Sequence, residues 1–331
     1  MNACIVGYGA VGPVHAAAVE ELEGCSVFAV CERDPGRAAL CREAYGCLVY
    51  EDFDEMLKDG AIDVVHICTP HYLHKEMAEK ALGAGKHVVL EKPVVLTLRD
   101  MEELTALADK SDGRLCIMLQ NRRNACIEAL RDITAGASAG ALRGIIGNVY
   151  WKRDAAYYQR DAWRGKWETE GGGTLINQAI HMLDLMIYFG GRVKQLDSAI
   201  HHWRIPGIEV EDNVEALIDF EDGARGVFHA TNCYVTDEPY ILELLFERAH
   251  YRYADGCLYE ITPEGAQIIA RDEKIRIGKS YWGNGHSLVI RSFYEAIRGG
   301  DAPYTDIRDA YETMRTVFAV YEGAKRPQKP L

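Results

Sequence analysis

The stretch Ala3-Cys4-Ile5-Val6-Gly7-Tyr8-Gly9-Ala10-Val11-Gly12 decides the fold of the first part of the chain. Its apolar beginning predicts a buried strand, and three glycines at G-x-G-x-x-G spacing predict a tight turn that leads into a helix. Glycine at these places permits the turn, a close approach of phosphate to the backbone, and close packing of helix on strand. We therefore expect Gly7, Gly9, Ala10, Val11 and Gly12 to bind the pyrophosphate of a dinucleotide.

A carboxylate follows the second predicted strand, Ser26–Cys31. Glu32 lies 20 residues after Gly12, where an acidic residue is expected to accept hydrogen bonds from the adenosine ribose. The same charge repels a 2′-phosphate, so the sequence favours NAD over NADP. Arg33 could pair with that phosphate, and NADP therefore stays possible as the cofactor.

Strands and helices alternate as far as about residue 122, which predicts a doubly wound parallel sheet. Further strands are expected at 48–50, 63–68, 86–90 and 115–119. Helices are expected at 34–45, 53–58 and 98–110, and another opens at 69–74 and ends at about 84. In such sheets, ligands bind beyond the carboxyl ends of the strands. Three polar turns lie there: Thr69-Pro70-His71 with His74 soon after, Glu91-Lys92-Pro93, and Gln120-Asn121-Arg122.

The pattern changes after residue 123. Stretches of alternating polarity are expected to form strands at 193–203, 214–220, 226–233, 241–246 and 251–253, with Glu221-Asp222-Gly223 as a hairpin turn. Strands in succession predict an α+β second domain with a large, open, mostly antiparallel sheet. We place the dinucleotide-binding domain at 1–122 and the substrate and oligomerisation domain at 123–331. The C-terminal helices, expected at 287–298 and 306–323, can pack back on the first domain.

The stretch Gly171–Asp184 predicts a buried helix with one polar line. Gly173, Thr174, Asn177, His181, Asp184 and Tyr188 share one narrow face at 100° per residue, without a lysine, arginine or glutamate among them. The three glycines from Gly171 predict a bare helix start, where backbone N–H groups can approach a ligand. His181 can exchange a proton near neutral pH, and Asp184 can orient its ring. The alternative is a core histidine that has found a hydrogen bond.

Aromatic and basic residues are interleaved between 151 and 167. The aromatic residues are Trp151, Tyr157, Tyr158, Trp163 and Trp167, and the basic ones are Lys152, Arg153, Arg160, Arg164 and Lys166. In an acidic protein this loop is typical of a site for a polar ligand with flat apolar faces, such as a sugar ring or a nicotinamide. It could equally be an arm that packs on another subunit, and both can hold.

Composition excludes several partners. A chain of 331 residues with net charge −13 argues against nucleic acid or an anionic membrane as the main partner. No apolar run reaches the roughly 20 residues of a membrane helix. The ten cysteines show no metal-ligand spacing, so we expect no metal and predict reduced thiols in a cytoplasmic protein.

The motifs together resemble the Gfo/Idh/MocA oxidoreductases over essentially the whole chain. The resemblance is carried by the glycine loop with His15, Thr69-Pro70 with His74, Glu91-Lys92-Pro93, and Gly171–Asp184 with N-x-x-x-H-x-x-D. It implies that Lys92 bonds to the reacting hydroxyl and that His181 accepts or donates the proton. The cofactor-lining residues are then Thr69, Pro70, His71, His74, Glu91, Lys92, Gln120, Trp163 and Arg164, in addition to the glycine loop, Glu32 and Arg33. The substrate-binding residues are Asn121, Arg122, Tyr157, Asn177, Asp184 and His286.

Two positions depart from the family's pattern. Many members carry Asp where this chain has Asn177, which can bond to a hydroxyl but holds neither proton nor charge. His71 stands where Asn is frequent. Inositol dehydrogenases are among the members that carry this Asp, so the first departure weakens any transfer of their substrate specificity to this chain.

The function that follows is hydride transfer between a nicotinamide and a secondary alcohol or ketone of a sugar, sugar derivative or cyclitol. Two alternatives share the fold: an enzyme that keeps its NAD and cleaves glycosides through transient oxidation, and a regulatory sugar-binding protein without turnover. The presence of both Lys92 and His181 argues against the second, because a binding protein does not need that pair. A homodimer or homotetramer is expected, through the open face of the second sheet.

Overall fold

The structure is a computed structural model that describes residues 1–273 and 283–324. These residues form two compact units. One comprises 1–120 with 283–311, and the other comprises 121–273 with 312–324.

The first unit is built on a parallel sheet of six strands. These are β1 (Asn2–Val6), β2 (Ser26–Cys31), β3 (Leu48–Tyr50), β4 (Val64–Ile67), β5 (His87–Leu90) and β6 (Leu115–Ile117). They lie in the order β3-β2-β1-β4-β5-β6, and every pair is parallel. β4 and β5 are almost completely buried, as expected for strands covered on both faces, and each consists of three apolar residues and one histidine.

Helices connect these strands. They are α1 (Gly12–Glu20), α2 (Pro35–Tyr45), α3 (Phe53–Leu57), α4 (His74–Gly83) and α5 (Leu98–Ala108). The second unit begins with α6 (Ala125–Thr134) and also holds α7 (Ala155–Gln159) and α8 (Ile180–Gly190). Two more helices follow in the chain, α9 (Gly285–Ile297) and α10 (Ile307–Ala324). α9 belongs to the first unit, where Val289, Ile290 and Phe293 share a core with residues of α1 and β1.

The second unit contains an eight-stranded sheet. Its strands are β7 (Leu142–Tyr150), β8 (Val193–His201), β9 (Asn213–Phe220), β10 (Arg225–Thr231), β11 (Ile241–Phe246), β12 (His250–Ala254), β13 (Cys257–Thr262) and β14 (Gly265–Arg271). The order is β14-β13-β12-β11-β7-β10-β9-β8, and only the β7–β10 pair is parallel. α8 packs on one face of this sheet, where Gly147 of β7 meets the Met182 and Met186 side chains.

The predicted fold class is confirmed: a Rossmann-type parallel sheet and a second, mostly antiparallel sheet. Two strands, β13 and β14, were not expected. Nearly every residue of β14 is exposed, so it carries no alternation of buried and exposed residues that a pattern search could find. The helix expected from Gly171 also differs, because Thr174–Ala179 is a π-helix and the α-helical hydrogen bonding begins at Ile180.

No helix within the described ranges is both long enough and apolar enough to cross a lipid bilayer.

Candidate active site

The glycine loop of the first unit has one open position. Gly7 has φ of +85°, and a Cβ there would lie 2.9 Å from the carbonyl oxygen of Cys68. A Cβ on Gly12 would lie 2.5 Å from the carbonyl oxygen of Gly7. Around Gly9, by contrast, a Cβ would meet no atom within 4 Å in the part of the chain that the structure describes. The first and third glycines are therefore required by the protein's own packing, and the second leaves the backbone accessible to a pyrophosphate.

Glu32 is held beside this loop. Its carboxylate accepts hydrogen bonds from the backbone N–H groups of Tyr8 at 2.7 Å and Asp34 at 2.8 Å, and from the Arg37 guanidinium at 3.0 Å. Burial raises the pKa of Glu32, but these hydrogen bonds lower it more, so its pKa lies below the ordinary value. An ionised carboxylate in a fixed position suits the acceptance of ribose hydroxyls. Arg33 is exposed, and the arginine that contacts Glu32 is Arg37, which the sequence analysis did not single out.

The turns after β4 and β5 are tied together by His74. Its Nδ1 lies 2.6 Å from the carbonyl oxygen of Pro93, and its Nε2 lies 2.9 Å from that of Thr69. The ring is completely buried. His74 therefore lies between the two turns, where a neutral ring donates to one of the two carbonyl oxygens, and its predicted contact with the cofactor stays a prediction. Thr69 and Pro70 are half-buried, and His71 is buried next to His74.

Lys92 is half-buried in the turn that follows β5, and its bond to Pro93 is cis. Its backbone N–H donates to Glu91 Oε2 at 3.2 Å. Glu91 itself is buried, and its Oε1 lies 3.0 Å from His15 Nε2 and 3.6 Å from His286 Nε2. His286 is buried too, and the structure places it against Glu91; its predicted role in substrate binding stays a prediction.

Three residues of the predicted polar line are half-buried in the second unit: Asn177, His181 and, at the far end, Tyr188. Every residue from Gly172 to Ile187 is buried except Asn177 and His181, which are half-buried. They are four positions apart and can face the same side of the helix. His181 is thus the ionisable side chain of this stretch that a ligand can reach.

Asp184 does not share that accessibility. Arg122 donates two hydrogen bonds to its carboxylate, at 2.9 and 2.6 Å, and Thr313 Oγ1 donates a third at 2.7 Å. The guanidinium of Arg122 also lies over the Tyr188 ring. The structure therefore brings Arg122 and Asp184 together; their predicted roles in substrate binding, and that of Asp184 in orienting His181, stay predictions. The two charges neutralise each other inside the unit, where they anchor α8.

The bare helix start expected at Gly171–Gly173 is filled by the protein. Glu211 accepts hydrogen bonds from the N–H groups of Gly173 at 2.8 Å and Leu175 at 2.9 Å, and from the Tyr321 hydroxyl at 3.1 Å. A Cβ on Gly172 would lie 2.0 Å from that hydroxyl oxygen, and one on Gly173 would lie 2.0 Å from the Glu211 carbonyl oxygen. Gly172 and Gly173 accommodate neighbouring protein atoms, and the N–H groups of Gly171 and Gly173 already donate, to the Trp167 carbonyl oxygen and to Glu211.

The aromatic loop forms a connected cluster within the second unit. The Tyr157 hydroxyl accepts hydrogen bonds from Arg164 at 2.7 Å and Gln178 at 2.9 Å. The Arg164 guanidinium lies between the rings of Tyr157 and Trp163, with centroid distances of 4.7 and 4.4 Å. Because both acceptor positions of the Tyr157 oxygen are taken, its own hydrogen is directed elsewhere and can be donated to a ligand.

Asn177 has a buried acidic neighbour. Its amide nitrogen donates to Glu170, a completely buried carboxylate that also accepts the N–H of Gly165 and lies 3.9 Å from Arg164. An Asp at 177 would set two carboxylates against each other, which explains an amide here in physical terms. Glu170 and Glu211 were both missed by sequence reasoning. Glu170 directly precedes the three glycines, and Glu211 opens the polar run Glu211-Asp212-Asn213 before β9.

The remaining predicted residues, Gln120 and Asn121, are buried where the chain leaves β6. The Asn121 amide nitrogen lies 3.4 Å from the Tyr240 hydroxyl, while its Oδ1 has no hydrogen-bond partner among the described residues. The predicted contact of Asn121 with the substrate stays a prediction, because this oxygen is buried in the structure.

Comparisons with known proteins agree with this architecture. Residues 1–119 match an oxidoreductase family with an NAD-binding Rossmann fold, and residues 127–252 match the GFO/IDH/MocA C-terminal domain. A 1-carboxy-3-chloro-3,4-dihydroxycyclohexa-1,5-diene dehydrogenase of Comamonas testosteroni is 32% identical, with 84% of this chain and 83% of that protein covered. The D-apiose dehydrogenase of Rhizobium rhizogenes is 25% identical, with 96% and 93% covered.

A solved structure extends the comparison to the whole described fold. The WlbA dehydrogenase from Bordetella pertussis, in complex with NADH and UDP-GlcNAcA, has a TM-score of 0.85 at 26% identity, with 98% of this chain and 96% of that chain covered. Both domains, the glycine loop, the Glu91-Lys92-Pro93 turn and the helix bearing His181 thus occur in a single chain with relatives along most of its length. The chain belongs to the Gfo/Idh/MocA family of NAD-binding oxidoreductases.

Proposed function

We propose that this protein is an NAD-dependent dehydrogenase of a secondary alcohol on a polyhydroxylated ring: a sugar, a sugar derivative or a cyclitol. The observation that carries the proposal is the accessibility of Asn177 and His181 on an otherwise buried helix stretch. One offers hydrogen bonds to a hydroxyl, and the other can take its proton. Relatives named for D-apiose and for a cyclohexadiene diol support a ring or sugar diol as the substrate class.

The residues have separate tasks in this proposal. Bound NAD would accept the hydride from the alcohol carbon. His181, neutral, takes the hydroxyl proton as general base, and Lys92 stabilises the negative charge that develops on the oxygen. Asn177 and the Tyr157 hydroxyl orient neighbouring hydroxyls of the ring. Gln120, Asn121, Trp163, Thr69 and Pro70 keep their predicted binding roles as proposals.

The fixed carboxylate of Glu32 supports NAD over NADP. It already accepts three hydrogen bonds within its own unit, so a 2′-phosphate would have to approach a buried, ionised group. Arg37 is occupied by that carboxylate, and Arg33 remains the group that could favour NADP. We expect NAD to bind at least tenfold more tightly than NADP. Dissociation constants of both cofactors for the wild type and for Glu32→Ser test this, and a wild type that prefers NADP would contradict it.

Turnover tests the function directly. The wild type should form reduced nicotinamide in stoichiometric amounts with at least one member of a panel of sugars, cyclitols and cyclohexadiene diols. His181→Ala and Lys92→Met should each lower kcat by at least about 10² while NAD affinity stays nearly unchanged. His202→Ala and Lys110→Met, which change exposed residues of the same types, serve as matched controls. Normal turnover in either active-site variant would refute the assigned role.

We also propose a homodimer or homotetramer in the cytoplasm. Leu217 and Val227 are 56% and 47% exposed and face each other as cross-strand partners on the open side of the second sheet. Adjacent exposed apolar residues of this kind favour association between copies. The ten cysteines are all free thiols, which supports a reducing compartment. Sedimentation should show an oligomer for the wild type, and Leu217→Arg should shift it towards monomer.

A further inference from the structure

A continuous chain of buried polar groups runs through the first unit and ends at Glu91. The Tyr294 hydroxyl of α9 lies 2.8 Å from His66 Nε2 on β4. His66 Nδ1 lies 3.0 Å from His15 Nδ1 on α1, and His15 Nε2 lies 3.0 Å from Glu91 Oε1. All four side chains are buried. We call these four residues the buried histidine chain.

Hydrogen-bond geometry allows one arrangement of protons in this chain when Glu91 is ionised and both histidines are neutral. Glu91 can only accept, so His15 must carry its proton on Nε2. His15 Nδ1 is then an acceptor, and His66 must donate from Nδ1. His66 Nε2 in turn accepts from the Tyr294 hydroxyl. Every contact is satisfied, and all three donors point towards Glu91.

The surroundings favour a neutral His66, a protonated Tyr294 and an ionised Glu91. Burial, together with the neighbouring His15, holds the pKa of His66 well below its ordinary value, and burial raises the pKa of Tyr294. Burial raises the pKa of Glu91 as well, but hydrogen bonds from His15 and His286 bring it well below its usual range. Lys92 and His74 are the further ionisable groups whose charges bear on this region.

The chain acts on Lys92 through Glu91. One carboxylate oxygen of Glu91 meets His15, and the other accepts the backbone N–H of Lys92 at 3.2 Å. Groups on β4, α1 and α9 thereby fix the turn that follows β5. We propose that His15, His66 and Tyr294 are positioning residues that order the protons around Glu91 and so fix the backbone of Lys92. The effect on catalysis, though not the proton order itself, rests on the proposed function.

The proton order can be measured without turnover. In ¹⁵N-histidine NMR spectra of the full chain, His15 should be neutral and protonated at Nε2, and His66 neutral and protonated at Nδ1. The signals are identified by their loss in His15→Gln and His66→Asn. A cationic ring or the opposite tautomer at either position would overturn the proposal.

A matched pair of variants tests the link to Lys92. His15→Gln keeps a donor near the place of Nε2, facing Glu91, whereas His15→Asn keeps only the group near Nδ1, facing His66. We expect His15→Asn to lower kcat by about tenfold and His15→Gln by less than about threefold, with NAD affinity within about threefold in both. Equal kcat in the two folded variants would show that His15 only fills space and would overturn the positioning role.

A metal ion is the competing use of the same atoms. Ligand atoms of His15, Glu91 and His286 all lie within 4.8 Å of one another, close enough to bind one cation together. Elemental analysis of the purified wild type should find no stoichiometric zinc or other transition metal. One equivalent that is lost in His286→Leu would overturn the proposal, because coordination rather than proton order would then hold Glu91.

Discussion

Two glycine-rich turns, each at the start of a helix, look alike in the sequence and differ in the structure. In the loop from Gly7 to Gly12, a Cβ on the middle glycine would meet no atom of the described residues within 4 Å. In Gly171–Gly173, the corresponding space is filled by Glu211 and Tyr321. Both turns therefore need glycine, but for different reasons. Glycine alone shows that something approaches the backbone, and only the surrounding atoms show whether that is a ligand or the protein itself.

The largest expected effect is that of Gly173→Ala. Its methyl group would lie 2.0 Å from the Glu211 carbonyl oxygen and 2.9 Å from a Val210 methyl group, so backbone must move. We expect the free energy of unfolding to fall by about 3 kcal/mol. Denaturant unfolding measures this, with Gly136→Ala as the control, because a Cβ there meets no atom closer than 3.8 Å. Equal stability of the two variants would contradict the interpretation that protein atoms fill the space beside Gly173.

Glu211 gives the second turn a dependence on pH that is opposite in sign to the one Glu32 gives the first turn, because the pKa of Glu211 is raised and that of Glu32 is lowered. Burial raises the pKa of Glu211 to about 7 from an ordinary 4.5, despite the N–H groups that it accepts. A raised carboxyl pKa means that this group's contribution to stability is fully present below about pH 4.5 and is lost as pH rises through about 7. The loss is on the order of 3 kcal/mol.

The comparison variant is Glu211→Gln, which stays neutral at every pH. The difference in unfolding free energy between wild type and variant should shift against the wild type as pH rises through that window, as followed by denaturant titrations. A difference that is constant with pH would mean that Glu211 titrates as it does in the unfolded chain.

A smaller effect on the free energy of unfolding is expected at Asn177, which follows the second turn in the chain and is half-buried. Asn177→Asp replaces a donor to Glu170 with a second carboxylate, at a cost of about 1 to 2 kcal/mol when both are ionised. Adding Glu170→Gln places an amide donor at position 170, facing the carboxylate at position 177. The double variant should therefore recover most of the lost free energy of unfolding. Additive losses in thermal unfolding would show that the contact contributes nothing.

Much of this could be predicted from the sequence, because it depends on local patterns. The strand, turn and helix from Asn2 to Glu20 follow from short apolar runs and glycine spacing, and so does the place of Glu32. The position of His181 on a helix with a polar line was also predictable. These features need only neighbouring residues in the chain.

The partners of the charged residues could not be predicted in this way. Arg122 and Asp184 are 62 residues apart, and Gly173 and Glu211 are 38 apart. Such pairs depend on how the sheets order their strands, and a polar residue on a predicted line shows no sign of whether it faces a ligand or another side chain. The same applies to His286, whose contact with Glu91 joins two distant segments of the chain.

The most direct test is to titrate NAD into the wild type and into a variant of the loop from Gly7 to Gly12. Calorimetry of the wild type should show one NAD bound per chain. Gly9→Ala should unfold like the wild type, because its methyl group meets no atom of the described residues within 4 Å, yet bind NAD about tenfold more weakly, or about 1.4 kcal/mol. Gly60→Ala, equally open but in another loop, should bind NAD normally. Unchanged NAD affinity in Gly9→Ala, or a loss of stability without a loss of affinity, would contradict the assignment of this loop to the cofactor.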